Sequence, residues 1–180
     1  MHKILIIDDE PDILRVLAMS LRADGYEVVT AASGEEGLAA FAEQRPDIVL
    51  VDIKMPGLDG IDVLQQVKAQ DTLSEVIIIT GHGDVDNAVE ALKHGASDFI
   101  NKPVRDETLA IALKRAAEKL AIRGQLRDHT LELEAKVEAA TRALKRQAHF
   151  QAKLIRSSTD GIVATDRDLR IVIFNPGAEK

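Results

Sequence analysis

Four places along the chain carry residues whose types could do chemistry together: Asp8-Asp9-Glu10, Asp52, Thr80 and Lys102. Each stands just beyond a run of aliphatic residues, so one fold could bring all four to a common rim. Carboxylates gathered at one point repel one another unless a cation sits among them. Oxygen donors without histidine or cysteine suit a hard divalent ion, which makes magnesium the expected cofactor. A lysine and a threonine facing that cation want an anion between them. Nucleophilic carboxylate, metal, ammonium clamp and hydroxyl donor are together what phosphoryl transfer onto Asp52 requires.

The elements that must position these groups are legible from the apolar pattern. In the stretch 47–60 the uninterrupted run Ile48 to Val51 reads as a strand buried on both faces, and Met55-Pro56-Gly57 with Asp59-Gly60 reads as the loop after it. Lys3 to Ile7 is the first strand. Pro11 opens a helix with a buried stripe of Ile13, Leu14, Val16, Leu17 and Leu21, and Gly25 closes it. Glu27 to Ala31 follows as a strand, Ser33 as an N-cap, and then a helix turning Leu38 and Phe41 inward. Helices at 60–69 and 85–93 alternate with strands at 75–79 and 97–100, and a last helix starts near Asp106. Five βα repeats predict an α/β, doubly wound five-stranded parallel sheet with right-handed crossovers. In the flavodoxin-like order 2-1-3-4-5 the carboxyl ends of strands 1, 3, 4 and 5 are neighbours, and ligands bind at that rim.

Composition narrows the function classes. A net charge of −7 and an aromatic content of 3% argue against both a phosphate-tracking surface and base-stacking platforms, so no nucleic-acid contact is expected from this segment. The absence of cysteine removes thiolate chemistry. No apolar run is long enough for a signal peptide or a membrane span, and the expectation is a soluble, cytoplasmic protein without membrane contact.

Asp8-Asp9-Glu10, Asp52 with Met55-Pro56-Gly57 and Asp59-Gly60, Thr80-Gly81 and Lys102-Pro103 closely resemble, in order and spacing, the receiver domain of bacterial two-component response regulators, over residues 3–119. The resemblance implies that Asp52 is the phosphoacceptor and that a histidine kinase or phosphotransfer protein is the donor. It further implies Asp9 as a direct magnesium ligand, Asp8 as one acting through water, and the Lys54 backbone carbonyl as a third protein ligand. Lys102 and Thr80 would grip the phosphoryl group, and Phe99 would be the aromatic switch residue coupled to Thr80. On this reading the segment does no chemistry beyond its own phosphorylation and dephosphorylation. Plainer roles exist for each residue: Asp9 as a helix cap, Lys102 and Thr80 as ordinary surface and strand-end residues, Phe99 as core, His82 as a solvated loop residue. For Asp59 and Asp84 the turn-and-cap role is preferred. Two other function classes compete. A haloacid-dehalogenase-like phosphatase also uses an aspartyl phosphate and magnesium, but expects an Asp where Lys54 stands. A receiver-shaped interaction module that is never phosphorylated is the other.

Beyond Asp106 the composition turns to helix formers without proline, up to about Ile155, which predicts one helix on the order of 70 Å long. Leu109, Leu113, Ala116 and Leu120, then Leu126, Thr130, Leu133, Val137, Ala140 and Leu144, follow heptad spacing with a phase slip at 121–124. The expectation is a homodimeric coiled coil through 109–144. The residues Asp160-Gly161-Ile162 and Phe174-Asn175-Pro176-Gly177-Ala178-Glu179 resemble the opening of a PAS sensory domain, with a hairpin turning at Asp166-Arg167-Asp168. The expected division is receiver 1–119, linker helix 120–155 and the first part of a PAS domain 156–180, continuing past Lys180. A histidine kinase output is the first expectation for the longer protein, by analogy of architecture.

Overall fold

The computed structural model describes residues 2–71, 73–81 and 85–179. His82 and Asp84 lie outside the described residues. In chain order the elements are β1 (Lys3–Ile7), α1 (Pro11–Ala23), β2 (Glu27–Ala31), α2 (Gly34–Gln44), β3 (Ile48–Asp52), α3 (Gly60–Gln70), β4 (Glu75–Thr80), α4 (Val85–Lys93), β5 (Asp98–Asn101) and α5 (Asp106–Ser157). A hairpin of β6 (Val163–Thr165) and β7 (Ile171–Phe174) and a 3₁₀ turn at Pro176–Glu179 follow. The chain divides into two compact units, Met1–Gln125 and Leu126–Lys180.

In the first unit the sheet order is β2-β1-β3-β4-β5 with every pairing parallel, as the βα alternation predicts. Strict alternation splits the aliphatic strand residues between two apolar layers. Ile4, Ile6, Ile48, Leu50, Ile77 and Ile79 meet Leu17 and Leu21 of α1 and Leu109, Leu113 and Ala116 of α5. On the other face Leu5, Ile7, Val49, Val51, Val76 and Ile78 meet Phe41 of α2 and Val63, Leu64 and Val67 of α3. Both faces being covered explains why β3 could be read as a run without polar alternation.

Local signals act where expected. The Ser33 hydroxyl accepts from Glu36 N, Asp59 accepts from Ile61 N and Asp62 N at the start of α3, and Gly25 and Gly95 close their helices with φ of +89° and +91°. Val16 differs. It is 62% exposed because the buried stripe of α1 runs through Leu17, Ala18 and Leu21, and Val16 sits roughly 100° round the helix from Leu17.

The first half of the expected dimer seam is also corrected. Leu109, Leu113 and Ala116 are buried against the sheet of their own domain and Leu120 packs partly beside them. A spacing of 3.5 fits any apolar surface, and here the surface is the sheet of the same domain. From Leu120 to Leu126 is one residue short of a heptad, which turns the second stripe by about 120° from the first. The phase slip therefore separates two stripes with different tasks. Leu126, Leu133, Val137 and Leu144 are each more than half exposed.

In the second unit the antiparallel hairpin forms as predicted, with β6 starting at Val163. Asn175, 1% exposed, ties it to the end of α5. Its Nδ2 donates to the carbonyls of Ile155 at 3.0 Å and Asp160 at 2.9 Å, and its Oδ1 accepts from Ile162 N at 2.6 Å. No described helix is long and apolar enough to cross a membrane.

Candidate functional site

The carboxyl-terminal rim of the sheet assembles the residues singled out by type. Asp52 ends β3 and is 4% exposed. Asp8 follows β1 and is 0% exposed, its Oδ1 accepting from Glu10 N at 2.9 Å. Asp9 beside it is half-buried, and one carboxylate oxygen from each of Asp8, Asp9 and Asp52 falls within 4.8 Å of the others. The cap position of α1 belongs to Glu10, not Asp9, and the Glu10 side chain makes no cap hydrogen bond.

Lys102 is held just past β5 by its own N–H, which donates to Thr80 O at 2.7 Å. The ammonium reaches across the rim to Asp8 Oδ2 at 3.0 Å, Glu10 Oε1 at 3.1 Å and Asp52 Oδ1 at 3.2 Å. Glu10 belongs to the acidic run of the sequence but carries no assigned role there, and only the 92-residue separation closed by the fold shows it on Lys102.

The electrostatics follow from burial and from counting charges. Burial is the largest influence on Asp52 and pushes its carboxyl up to about 6; Lys102 works against this, and Asp8 and Asp9 reinforce it. For Lys102 burial disfavours the ammonium, but its hydrogen bonds to Asp8 and Glu10 and the charge of Asp52 outweigh it, and the net shift is upward. Among the described residues Lys102 meets three carboxylates at the rim, and Asp9 adds a fourth negative charge beside them. Asp8 Oδ2 is buried and has the Lys102 ammonium 3.0 Å away. An all-oxygen cluster with this excess of negative charge fits a hard divalent cation.

Thr80 ends β4, 1% exposed, its hydroxyl 3.5 Å from Gly81 O. It has the parity of Val76 and Ile78, whereas Asp52 has that of Ile48 and Leu50, so the two reach the rim from opposite faces of the sheet. Phe99 pairs with Ile78 and shares the face of Thr80, and it is 38% exposed on the edge strand. Lys54 follows in the loop with its side chain exposed. That loop returns tightly: Gly60 N donates to Ile53 O at 3.0 Å, and a Cβ on Gly60 would run into the carbonyl oxygen of Asp52 and come within 2.8 Å of Ile53 Cα. Gly60→Ala is accordingly expected to cost about 3 kcal/mol in chemical denaturation, because the atoms it meets are backbone. A loss under about 0.5 kcal/mol would show that the loop yields freely.

Comparison with known proteins agrees with this geometry. A family model described as the response regulator receiver domain matches residues 4–114. The nitrogen assimilation regulatory protein NtrX of Azorhizobium caulinodans is 40% identical over 129 residues, covering 71% of this chain and 28% of that protein. The C4-dicarboxylate transport transcriptional regulatory protein DctD of Pseudomonas aeruginosa is 34% identical over 178 residues, 99% of this chain and 38% of its own length. The chain thus spans between about a quarter and two fifths of the length of these relatives. Among solved structures, a response regulator receiver domain protein from Clostridium thermocellum superposes with a TM-score of 0.64 at 43% identity, covering 70% of this chain and 99% of that one. NtrX from Brucella abortus gives 0.68 at 36%, covering 71% and 29%.

Proposed function

The chain belongs to the response regulator receiver domain family, and from that premise we propose that Asp52 accepts a phosphoryl group from a histidine kinase or phosphotransfer protein. The observation that carries this is the Asp52 carboxylate at the open end of β3, 3.2 Å from an ammonium and beside two more carboxylates. An Asp52 oxygen attacks phosphorus, the bond from phosphorus to the donor nitrogen breaks, and the departing imidazole keeps the electron pair. Asp8, Asp9 and Asp52, with the Lys54 carbonyl, would hold magnesium. The ion supplies neutralisation of the charge that builds on the phosphoryl oxygens. Lys102 exchanges its contact with Asp52 for one with a phosphoryl oxygen, and the Thr80 hydroxyl donates from the opposite face of the sheet. Phe99, on the face of Thr80, would register that movement at the sheet edge.

The donor has a way in. An open cleft of about 590 Å³ lies beside Lys102, lined by Ile13, Val16, Leu17, Pro103 and Val104. The exposed Val16 belongs to this surface.

Incubation with a small acyl phosphate and magnesium tests the reading. Acid-stable, base-labile label at one equivalent supports it. Continuous release of phosphate from phosphomonoesters would favour a haloacid-dehalogenase-like phosphatase, and no label at all an interaction module. Asp9→Ala should raise the magnesium concentration needed for half-maximal labelling by at least about tenfold, since it removes a ligand from a three-carboxylate set. An unchanged requirement would remove Asp9 from the metal site.

Past the receiver, the reading is that α5 pairs with a second copy through Leu126 to Leu144 and passes the phosphorylation state to a PAS-like segment opening with the hairpin. A histidine kinase output follows from that architecture. A transcription regulator is the second reading, favoured because relatives named as regulators, DctD among them, align with the chain.

A further inference from the structure

The site uses one end of the sheet, and the opposite end holds a buried carboxylate with no part in that chemistry. Glu75, the first residue of β4, is 1% exposed. Its Oε2 accepts from the Ser97 hydroxyl and its Oε1 from Arg123 Nη1, so both oxygens are engaged. Arg123 comes from α5, 48 residues away. A carboxylate this deep is costly unless paired, so its position makes sense only with the guanidinium in place. Two further bonds fasten α5 along the same edge: Arg115 Nη1 to Asp98 Oδ2 at 3.1 Å and Lys119 Nζ to Ser97 O at 2.9 Å.

The sequence of contacts along α5 gives the arrangement its meaning. Apolar packing on the sheet ends at Ala116 and the partly buried Leu120. Immediately after Arg123 comes Gly124, where an added Cβ would meet nothing within 4 Å, and glycine is a poor residue for an exposed helix interior. Arg123 therefore grips the sheet one residue before that glycine and about four turns beyond Leu109, the first core contact of the helix. Without that grip the turns from 117 onward keep only the partly buried Leu120 and the Lys119 bond to Ser97 O.

We propose that the Glu75–Arg123 pair is the joint that keeps α5 helical and fixed in phase where it leaves the receiver, so that a change at the phosphorylation rim reaches residues beyond 125. The grip itself stands on the geometry alone; its use in transmission rests on Asp52 phosphorylation. Hydrogen–deuterium exchange on the full 180-residue chain, with and without acyl phosphate and magnesium, reads both. For Arg123→Ala the amides of 117–125 should exchange at least tenfold faster, label at Asp52 should stay within twofold of the parent, and the phosphorylation-dependent change in exchange of 126–144 should disappear. Glu75→Gln, which keeps the volume and one oxygen to accept from Arg123 and turns an NH2 donor toward the Ser97 hydroxyl, but lacks the charge, should show the same pattern in weaker form. It guards against a Glu75→Ala chain that does not fold. Unchanged exchange at 117–125 in Arg123→Ala overturns the joint. Transmission that persists in that variant, or a parent chain that takes the label without any change in 126–144, overturns its role. A parent chain that takes no label would instead count against Asp52 phosphorylation.

Discussion

Asp52→Asn should take no acid-stable, base-labile phosphoryl label under conditions that label the parent chain stoichiometrically, and at neutral pH without metal it should be the more stable protein. The first outcome follows from chemistry: an amide oxygen is too weak a nucleophile to displace a phosphoryl donor, and neither Asp8 nor Asp9 ends a strand at the centre of the rim. The second follows from linkage. Burial raises the Asp52 carboxyl from an ordinary 3.8 to about 6 in the folded chain, so folding takes up a proton between those values. Its contribution to stability is fully present below pH 3.8 and is lost as pH rises through about 6. At pH 7 the parent thus carries a penalty of about 3 kcal/mol that Asn lacks, reduced by whatever Lys102 gained from Asp52. The stability gap between variant and parent should close as pH falls from 7 to 4. A gap that is constant with pH would mean that Asp52 titrates as an ordinary carboxylate, and undiminished label on the variant would move the phosphoacceptor elsewhere.

Magnesium should reverse that order. A ligand that binds only the folded chain stabilises it in proportion to the logarithm of its concentration above Kd. The parent, with three carboxylates, gains this fully and Asp52→Asn only in part. Crowding Asp8, Asp9 and Asp52 at one point costs stability that a bound cation would return. A carboxylate cluster relaxed in the absence of metal would not hold the ion tightly enough to position a phosphoryl group.

What could be read from sequence was whatever depends on short-range pattern. Continuous aliphatic runs gave β1, β3 and β4, Pro11 and Ser33 marked helix starts, and glycines after α1 and α4 marked their ends, because each is a local property of backbone or burial. Asp8, Asp9, Asp52, Thr80 and Lys102 could be placed together once the parallel order was assumed, since strand ends in such a sheet converge. Glu10 and Glu75 could not. Their partners lie 92 and 48 residues away, and a glutamate beside a helix start or at the head of a strand has nothing in its neighbourhood to mark it as paired. Val16 looks part of the stripe because of its four apolar neighbours in α1, although its angular position puts it in the cleft beside Lys102. Heptad spacing in α5 was ambiguous in principle: apolar residues at 3.5 spacing bury equally well on a sheet or on another helix, and only the rest of the sheet decides between them.

That ambiguity sets the size of the last effect. With Leu109, Leu113 and Ala116 committed to the receiver core, the seam left for a second copy runs from Leu126 to Leu144, fewer than three heptads. The full chain should therefore dimerise at about tens of micromolar and not far below, since short coiled coils are marginal. The composition of the stripe supports pairing. Thr130 is the one polar residue in it, and its hydroxyl already donates to Leu126 O at 2.9 Å, so burying it strands no donor. Lys136 with Glu132 at 2.7 Å and Arg142 with Glu138 at 3.5 Å lie along the same turns and keep the flanks charged. Introducing Leu133→Lys together with Val137→Lys puts two ammonium groups from each copy into the seam. Association should weaken by at least about a hundredfold, at 1.4 kcal/mol per tenfold and more than that lost per buried charge. Label at Asp52 should be untouched, and residues 1–119 alone should be monomeric and take the label as well. Light scattering of the 180-residue chain reads the first outcome directly. A monomer at tens of micromolar, or a dimer that survives both lysines, would show that the exposed stripe of α5 is covered by something other than its own copy.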